Sequence, residues 1–395
     1  MTSQIAVFNP LGVAVASDTV TTISAERGTK TVNNAQKIFP LPEPHLLVVI
    51  ESGSVISNGV HMQLLINEWS RTLKNPLPTV KDYAKSFADW YSTDSNLIPK
   101  ESELREVHVQ LNEHYYEVKY RVESDTANTT IQEEVSASLK MHAKAGLEWL
   151  EQLELFEGVS DTDDAELLTE LGIDMNKKID LFFQDIPGLD EVRETLIKCA
   201  PLILSRFQES SEDSELGFIG FGEKDFFAKS VSVRCRARYG KVARVKIEDS
   251  FGASASDQSG SIAFFAQSNS INGFLRGAQL DLLENLYNHI WSGLTDNVDA
   301  NDEVKLNSTR EFMKGVRKHV EKIQQEFFVS PMLDTIGSLS LIDVASLARS
   351  LVGMQAMRSA ASPEPASVGG FIESLVIDRA NGVRWIHRLP QISTD

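Results

Sequence analysis

The sequence predicts a mixed α/β (α+β) fold, in which two mainly antiparallel sheets pack face to face with helices outside. Three observations lead there. Strand-like segments come in pairs joined by turn residues, helical stretches gather in blocks between those pairs, and the chain returns to a strand pair at its end.

Residues 3–17, SQIAVFNPLGVAVAS, read as two short strands around a turn supplied by Asn9, Pro10 and Gly12. Residues 29–41 hold a second strand pair that closes on Lys37-Ile38-Phe39. Residues 45–50 are apolar and β-branched, as a buried strand requires, and Gly53-Ser54 ends the run. Val60, Leu64, Leu65 and Trp69 then fall at helical spacing over 57–73, and a second helix follows near 80–91. The stretch 92–215 is long, helix-rich and without clear strands. Trp149, Leu150, Leu153 and Phe156 form its apolar stripe, and Pro187-Gly188 interrupts it.

Strands return at 216–222, 230–238 and 241–248, with Tyr239-Gly240 as a turn, and again at 261–266 beyond a Ser/Gly/Asp-rich loop. One helix spans 271–291, a polar linker 293–308, and two further helices fall near 309–328 and 340–357. After a Ser/Pro/Gly-rich loop, strands at 371–378 and 383–387 meet at Asn381-Gly382. The resulting division is 1–91 and 216–292 as the halves of the sheet body, 92–215 and 293–338 as helical insertions, and 339–395 as the closing helix and hairpin.

Composition narrows the function classes. With 42% hydrophobic and 24% charged residues the chain reads as soluble and globular. A formal net charge of -18 leaves no broadly basic face, which argues against a nucleic-acid partner. Residues 151–216 alone hold 18 acidic and 5 basic side chains, a difference of -13. No run of apolar residues is long enough to span a membrane, and the N-terminus carries no signal-peptide pattern, so a cytoplasmic protein is expected. Cys199 and Cys235 are two thiols without a metal or disulfide pattern, and the eight histidines are scattered. No cofactor and no metal are expected.

The opening TSQIAVFNPLGVAVASD, the run NAQKIFPL and the segment LLVVIESGSV resemble the start of a proteasome β-subunit and its bacterial protease relatives. GSIAFFAQSNSINGFLRG, LSLIDVASLARSL and FIESLVIDRANGV resemble more weakly that family's later strand-turn-helix, last helix and closing hairpin. The family is that of N-terminal nucleophile (Ntn) hydrolases, and the resemblance implies a four-layer αββα sandwich. The segments 92–215 and 293–338 have no counterpart in it and stand as insertions.

The resemblance also implies a chemistry. Thr2, placed first by removal of Met1, would be the nucleophile, its own α-amine taking the hydroxyl proton. Asp18, sixteen positions on, would orient the amine and a lysine. The family's lysine lies four residues before the Lys-Ile-Phe step, where this chain has Asn33. Lys30, three residues further back, is therefore the expected cation, brought in by a bulge or an extra turn residue. Gly53 would offer an amide to the oxyanion, and Ser268 and Ser270 fall where the family has its two active-site serines. The family's last acidic residue is missing, the chain reading Met357-Arg358-Ser359-Ala360 there, with Glu364 near by. Two functions follow: a threonine peptidase or amidase acting on peptide or protein substrates, or an inactive scaffold that keeps the fold. Relatives assemble as rings, so a homo-oligomer is implied, and the insertions stand in the way of a ring.

Overall fold

The computed structural model describes residues 2–25, 28–93, 98–208, 210, 213–240, 242–248, 251–252, 259–296, 302–363 and 367–390. It is a mixed α/β structure with two main antiparallel sheets. The strands are β1 (Ser3–Asn9), β2 (Gly12–Asp18), β3 (Thr21–Ala25), β4 (Gly28–Val32), β5 (Ile38–Pro40), β6 (Leu46–Gly53), β7 (Ile56–Ser57), β8 (Val60–His61), β9 (Ser214–Phe221), β10 (Lys229–Tyr239), β11 (Val242–Ile247), β12 (Phe251–Gly252), β13 (Ser261–Ala266), β14 (Ile372–Asp378) and β15 (Gly382–His387). One sheet runs β13-β1-β2-β14-β15; the other runs β11-β10-β9-β6-β5, with β12 on β10. The pairs β3–β4 and β7–β8 are separate hairpins.

Alternation along buried strands explains how the sheets are covered. Ile5, Val7, Ala14 and Ala16 cluster with Val344, Ala345, Ala348 and Val352 of the long helix Leu341–Ala361. The opposite set, Ala6, Phe8, Val13 and Val15, clusters with Ile38, Val48, Ile50 and Ile219 from the second sheet. On that sheet Leu47, Val49, Leu216 and Phe218 pack with Leu65, Trp69, Tyr83 and Phe87, which belong to α1 (Met62–Thr72) and α2 (Val80–Thr93). Gly217 lets the layers close: a Cβ there would lie 2.7 Å from atoms of both Ile50 and Phe265.

The segment between the two halves of the second sheet is helical, as its composition predicts. Helices α3 (Lys100–Asp125), α4 (Gln132–Gln152), α5 (Asp161–Glu170), α6 (Met175–Phe183) and α7 (Leu189–Ser205) bury their own cluster, including Leu111, Tyr115, Leu150, Phe183, Leu196 and Ile203. Ala237 and Tyr239 of β10 join that cluster. Buried arginines fasten the unit to the sheet: Arg236 to Asp213 at 2.9 Å, and Arg244 of β11 to Asp164 of α5.

Several boundaries differ from the sequence expectation: a helix begins at Glu303, inside the linker expected over 293–308, and another, Ser330–Ser338, lies between the two helices expected near 309–328 and 340–357. The helix expected over 271–291 is two helices, α8 (Asn269–Arg276) and α9 (Leu280–Thr295). Gly277 ends the first with φ +72°, and the Phe328 ring occupies the space a Cβ would need. The strand pair expected within 29–41 is split as well: β4 pairs back with β3, whereas β5 leaves to pair with β6. The chain then continues as α10 (Glu303–Gln324), a π-helical turn at 325–329, α11 (Ser330–Ser338) and α12, the helix already described. No helix among the described residues is long and apolar enough to cross a membrane.

Candidate functional site

The first two strands deliver the site at one end of the sheets. Their register pairs Gln4 with Ser17, so Thr2 and Asp18 emerge together past that end. Asp18 is fully buried, and each of its oxygens accepts two hydrogen bonds. The Ser3 amide (3.0 Å) and Lys37 Nζ (2.8 Å) donate to Oδ1; the Val20 amide (3.2 Å) and the Gly369 amide (3.0 Å) donate to Oδ2. A carboxylate with four donors is fixed in orientation and has no need of solvent.

Lys37 is the centre of the cluster. Its Nζ lies 2.9 Å from Thr2 Oγ1 and 2.8 Å from Asp18 Oδ1, and it also donates to the Val20 carbonyl. Three acceptors thus surround a group that carries three protons as an ammonium. Burial lowers the lysine below its ordinary range, opposed by the Asp18 charge and hydrogen bond and then by Glu51. Glu51 stands across the strand pair from Lys37, its amide donating to the Lys37 carbonyl at 3.1 Å. Burial pushes its carboxyl up to about 8, with Lys37 pulling the other way. Gln4 ties the two sheets together here, donating to Ser17 Oγ at 3.2 Å and to the Glu51 carbonyl at 2.9 Å.

The turn after β13 closes the other side. The Gln267 amide donates to the Thr2 carbonyl at 2.9 Å, and Ser3 Oγ donates to the Gln267 carbonyl at 2.9 Å. Ser268 sits at the N-cap position of α8, but its hydroxyl accepts from Asn272 Nδ2 instead of capping the helix. Ser270 is buried; its amide donates to Gln355 Oε1 at 3.0 Å, and its hydroxyl has no partner among the described residues. Ser270, Gln355, Arg358, Ser359 and Ser367 line a cavity of about 150 Å³ that begins at Gln267. Ser359 Oγ accepts the Ser367 and Val368 amides, which carries the loop on to Gly369 and hence to Asp18.

Of the six residues expected from the sequence, the structure joins Thr2 and Asp18 directly through Lys37 and brings Ser268 and Ser270 to the adjoining turn. It does not bring Lys30. That lysine is exposed on β4, opposite Ile23 in the outlying hairpin, and Lys37 of the Lys-Ile-Phe step takes the place expected for it. The physical reason is the split noted above: β3–β4 is a self-contained hairpin that pairs with itself, whereas Lys37, immediately before β5, reaches Thr2 and Asp18. Gly53 ends β6 opposite Ser214 with φ +75°, where a Cβ would strike the Asp213 carbonyl, and it is not among the groups bonded to Thr2, Lys37 or Asp18. Met1 and Glu364 lie outside the described residues.

Sequence reasoning missed Lys37, Glu51, Gln4 and the Gly369 amide. One signal was available for Lys37. A lysine at the head of an apolar strand is enclosed with it, and an enclosed ammonium needs acceptors. The Gly369 amide carries no such signal, since any residue has one. No protein-family model matches this chain, and no curated protein matches it.

Proposed function

We propose that the chain is an N-terminal threonine hydrolase of the proteasome-like type, built on a four-layer αββα sandwich, that cleaves peptide or amide bonds with Thr2. The observation that carries the reading is Lys37 Nζ 2.9 Å from Thr2 Oγ1 and 2.8 Å from the buried Oδ1 of Asp18. Support for the fold comes from the separate apolar clusters on the two faces of each sheet.

In this reading Met1 is removed and Thr2 begins the chain. An α-amine has an ordinary pKa of about 7.7–8.0, so near neutral pH a large share can accept the hydroxyl proton. Lys37 stabilises negative charge developing on Oγ and lowers the hydroxyl's pKa electrostatically. Asp18 holds the lysine in place. Oγ attacks the substrate carbonyl carbon as its proton moves to the amine. The tetrahedral adduct then expels the leaving amine, which takes that proton, and an acyl ester remains on Thr2. Water attacks the ester, giving one proton back through the amine, and releases the acid with the Thr2 hydroxyl restored.

Intact-mass analysis of the N-terminus, followed by treatment with an epoxyketone or β-lactone, tests the proposal. Loss of Met1 and a single adduct on Thr2, absent from Thr2→Ala, is the expected result. Retained Met1 or an unmodified Thr2 overturns it in favour of the scaffold. That second reading draws on the absence of an acidic residue from Met357-Arg358-Ser359-Ala360 and on Gln355 of α12, a neutral amide, as the acceptor for the Ser270 amide.

A further inference from the structure

We propose that Glu51 is a positioning residue for Lys37, and through it for the Thr2 hydroxyl: enclosed across the strand pair without taking a proton from the lysine, it leaves Lys37 committed to Thr2 and Asp18. The inference rests on the reading of Thr2 as a nucleophile. It begins from an oddity of the fold, a second carboxyl enclosed beside a lysine that has no proton left for it.

Glu51 is 3% exposed, and its Oε1 has no hydrogen-bond partner among the described residues. The β5–β6 register continues to the Glu51 amide on the Lys37 carbonyl, so the two side chains leave the same face of the sheet. Yet the three acceptors within bonding distance of Lys37 Nζ are Thr2 Oγ1, Asp18 Oδ1 and the Val20 carbonyl. A carboxylate facing an ammonium would ordinarily claim one of those protons.

Among the described residues, Lys37 is the charge that acts on Glu51. On β9 its opposite number is Leu216, and the adjacent Glu215 accepts from Ser52 Oγ. On β1, Gln4 binds its backbone carbonyl. Helix α1 packs Met62, Leu65, Ile66, Trp69 and Ser70 inward, while Glu68 and Arg71 pair with each other outside and His61 is exposed at the helix start. Lys37 is thus the charge that acts on Glu51, and burial outweighs it, raising the carboxyl to about 8. Below that pH the acid is neutral and does not compete for the lysine. Above it, a second negative charge faces Lys37, draws the ammonium away from Thr2 Oγ1 and weakens the support for the developing alkoxide.

The test is the rate of Thr2 acylation by a β-lactone, followed by intact mass from about pH 6 to about pH 10, in the wild type, Glu51→Gln and Glu51→Leu. The wild-type rate is expected to turn down above about pH 8, and in both variants that downturn is expected to be lost or displaced to the pH at which Lys37 itself gives up its proton. Glutamine keeps the shape without the ionisation, and leucine removes the carboxyl altogether, so either folded variant decides the matter. A downturn at an unchanged pH in the variants overturns the role of Glu51 and leaves Thr2 as nucleophile. A wild-type rate that shows no downturn in that range overturns it equally. A wild type that never acylates at Thr2 overturns both readings together.

Discussion

At the residue scale, the site is a problem in placing one buried cation. Taking an ammonium out of water costs several kcal/mol unless its protons are all received. Lys37 meets that condition with one hydroxyl, one carboxylate and one carbonyl. Lys37→Ala should therefore lower the rate of Thr2 acylation by about 10²–10³-fold, the cost of removing one preorganised donor to a developing oxyanion. Lys30→Ala should leave it unchanged, because that side chain is exposed on an outlying hairpin. Parallel acylation assays on the two variants check the assignment; a larger loss from Lys30 would reverse it. Thr2 and Asp18 were expected from the resemblance, and they meet because two paired strands with a tight turn bring them to one end of the sheet. Lys37 was not expected, because its position depends on where the chain leaves a hairpin, and residues 33–36 do not encode that departure in any periodic pattern.

At the element scale, strands carry most of what the sequence could tell. Alternation and turn chemistry locate β1, β2, β14 and β15, since Asn9 and Asn381-Gly382 each sit at the turn of an observed pair. The helix expected over 271–291 failed because its apolar spacing continues across Gly277, where only the backbone's left-handed turn marks the break. The fastening of the helical unit to the sheet was equally invisible, since Asp164 and Arg244 lie eighty positions apart. Both side chains are buried, and burial raises the Asp164 carboxyl to about 6 against the pull of Arg244. Arg244→Met would strand that carboxyl without its cation. We expect a loss on the order of 3–5 kcal/mol in chemical denaturation, the cost of leaving one member of a buried pair. Replacing both members by apolar residues should recover most of it. If the single and double variants are equally unstable, the pair is not what holds α5 to β11.

At the scale of the whole molecule, the protein has a sheet body with clusters on each sheet face and a helical unit with a cluster of its own. The helical unit carries most of the excess negative charge, yet its weak point in acid is a buried histidine. His114 on α3 is 8% exposed, and its Nε2 has no partner among the described residues. Burial lowers its pKa to about 4, with Arg121 adding to the effect and Glu117 opposing it. The ordinary histidine value is about 6.5, so between those two values the unfolded chain binds a proton that the folded chain refuses. The sign is therefore fixed: the folded form is favoured above about pH 6.5 and loses stability as pH falls towards 4, by up to about 3 kcal/mol from this one group. Because α3 packs against α4, α6 and α7 through the same cluster, the helical unit should loosen before the sheets do. Trp149, half-exposed on α4 beside His114 in a shared cavity, reports on that loosening through its fluorescence. In the wild type its emission should change at a milder acidity than the far-ultraviolet signal of the sheets. In His114→Gln, which cannot take up the proton, the two changes should move closer together and to lower pH. Should the Trp149 transition stay at the same pH in that variant, protonation of His114 is not what opens the helical unit, and the acid sensitivity belongs to its carboxylates instead.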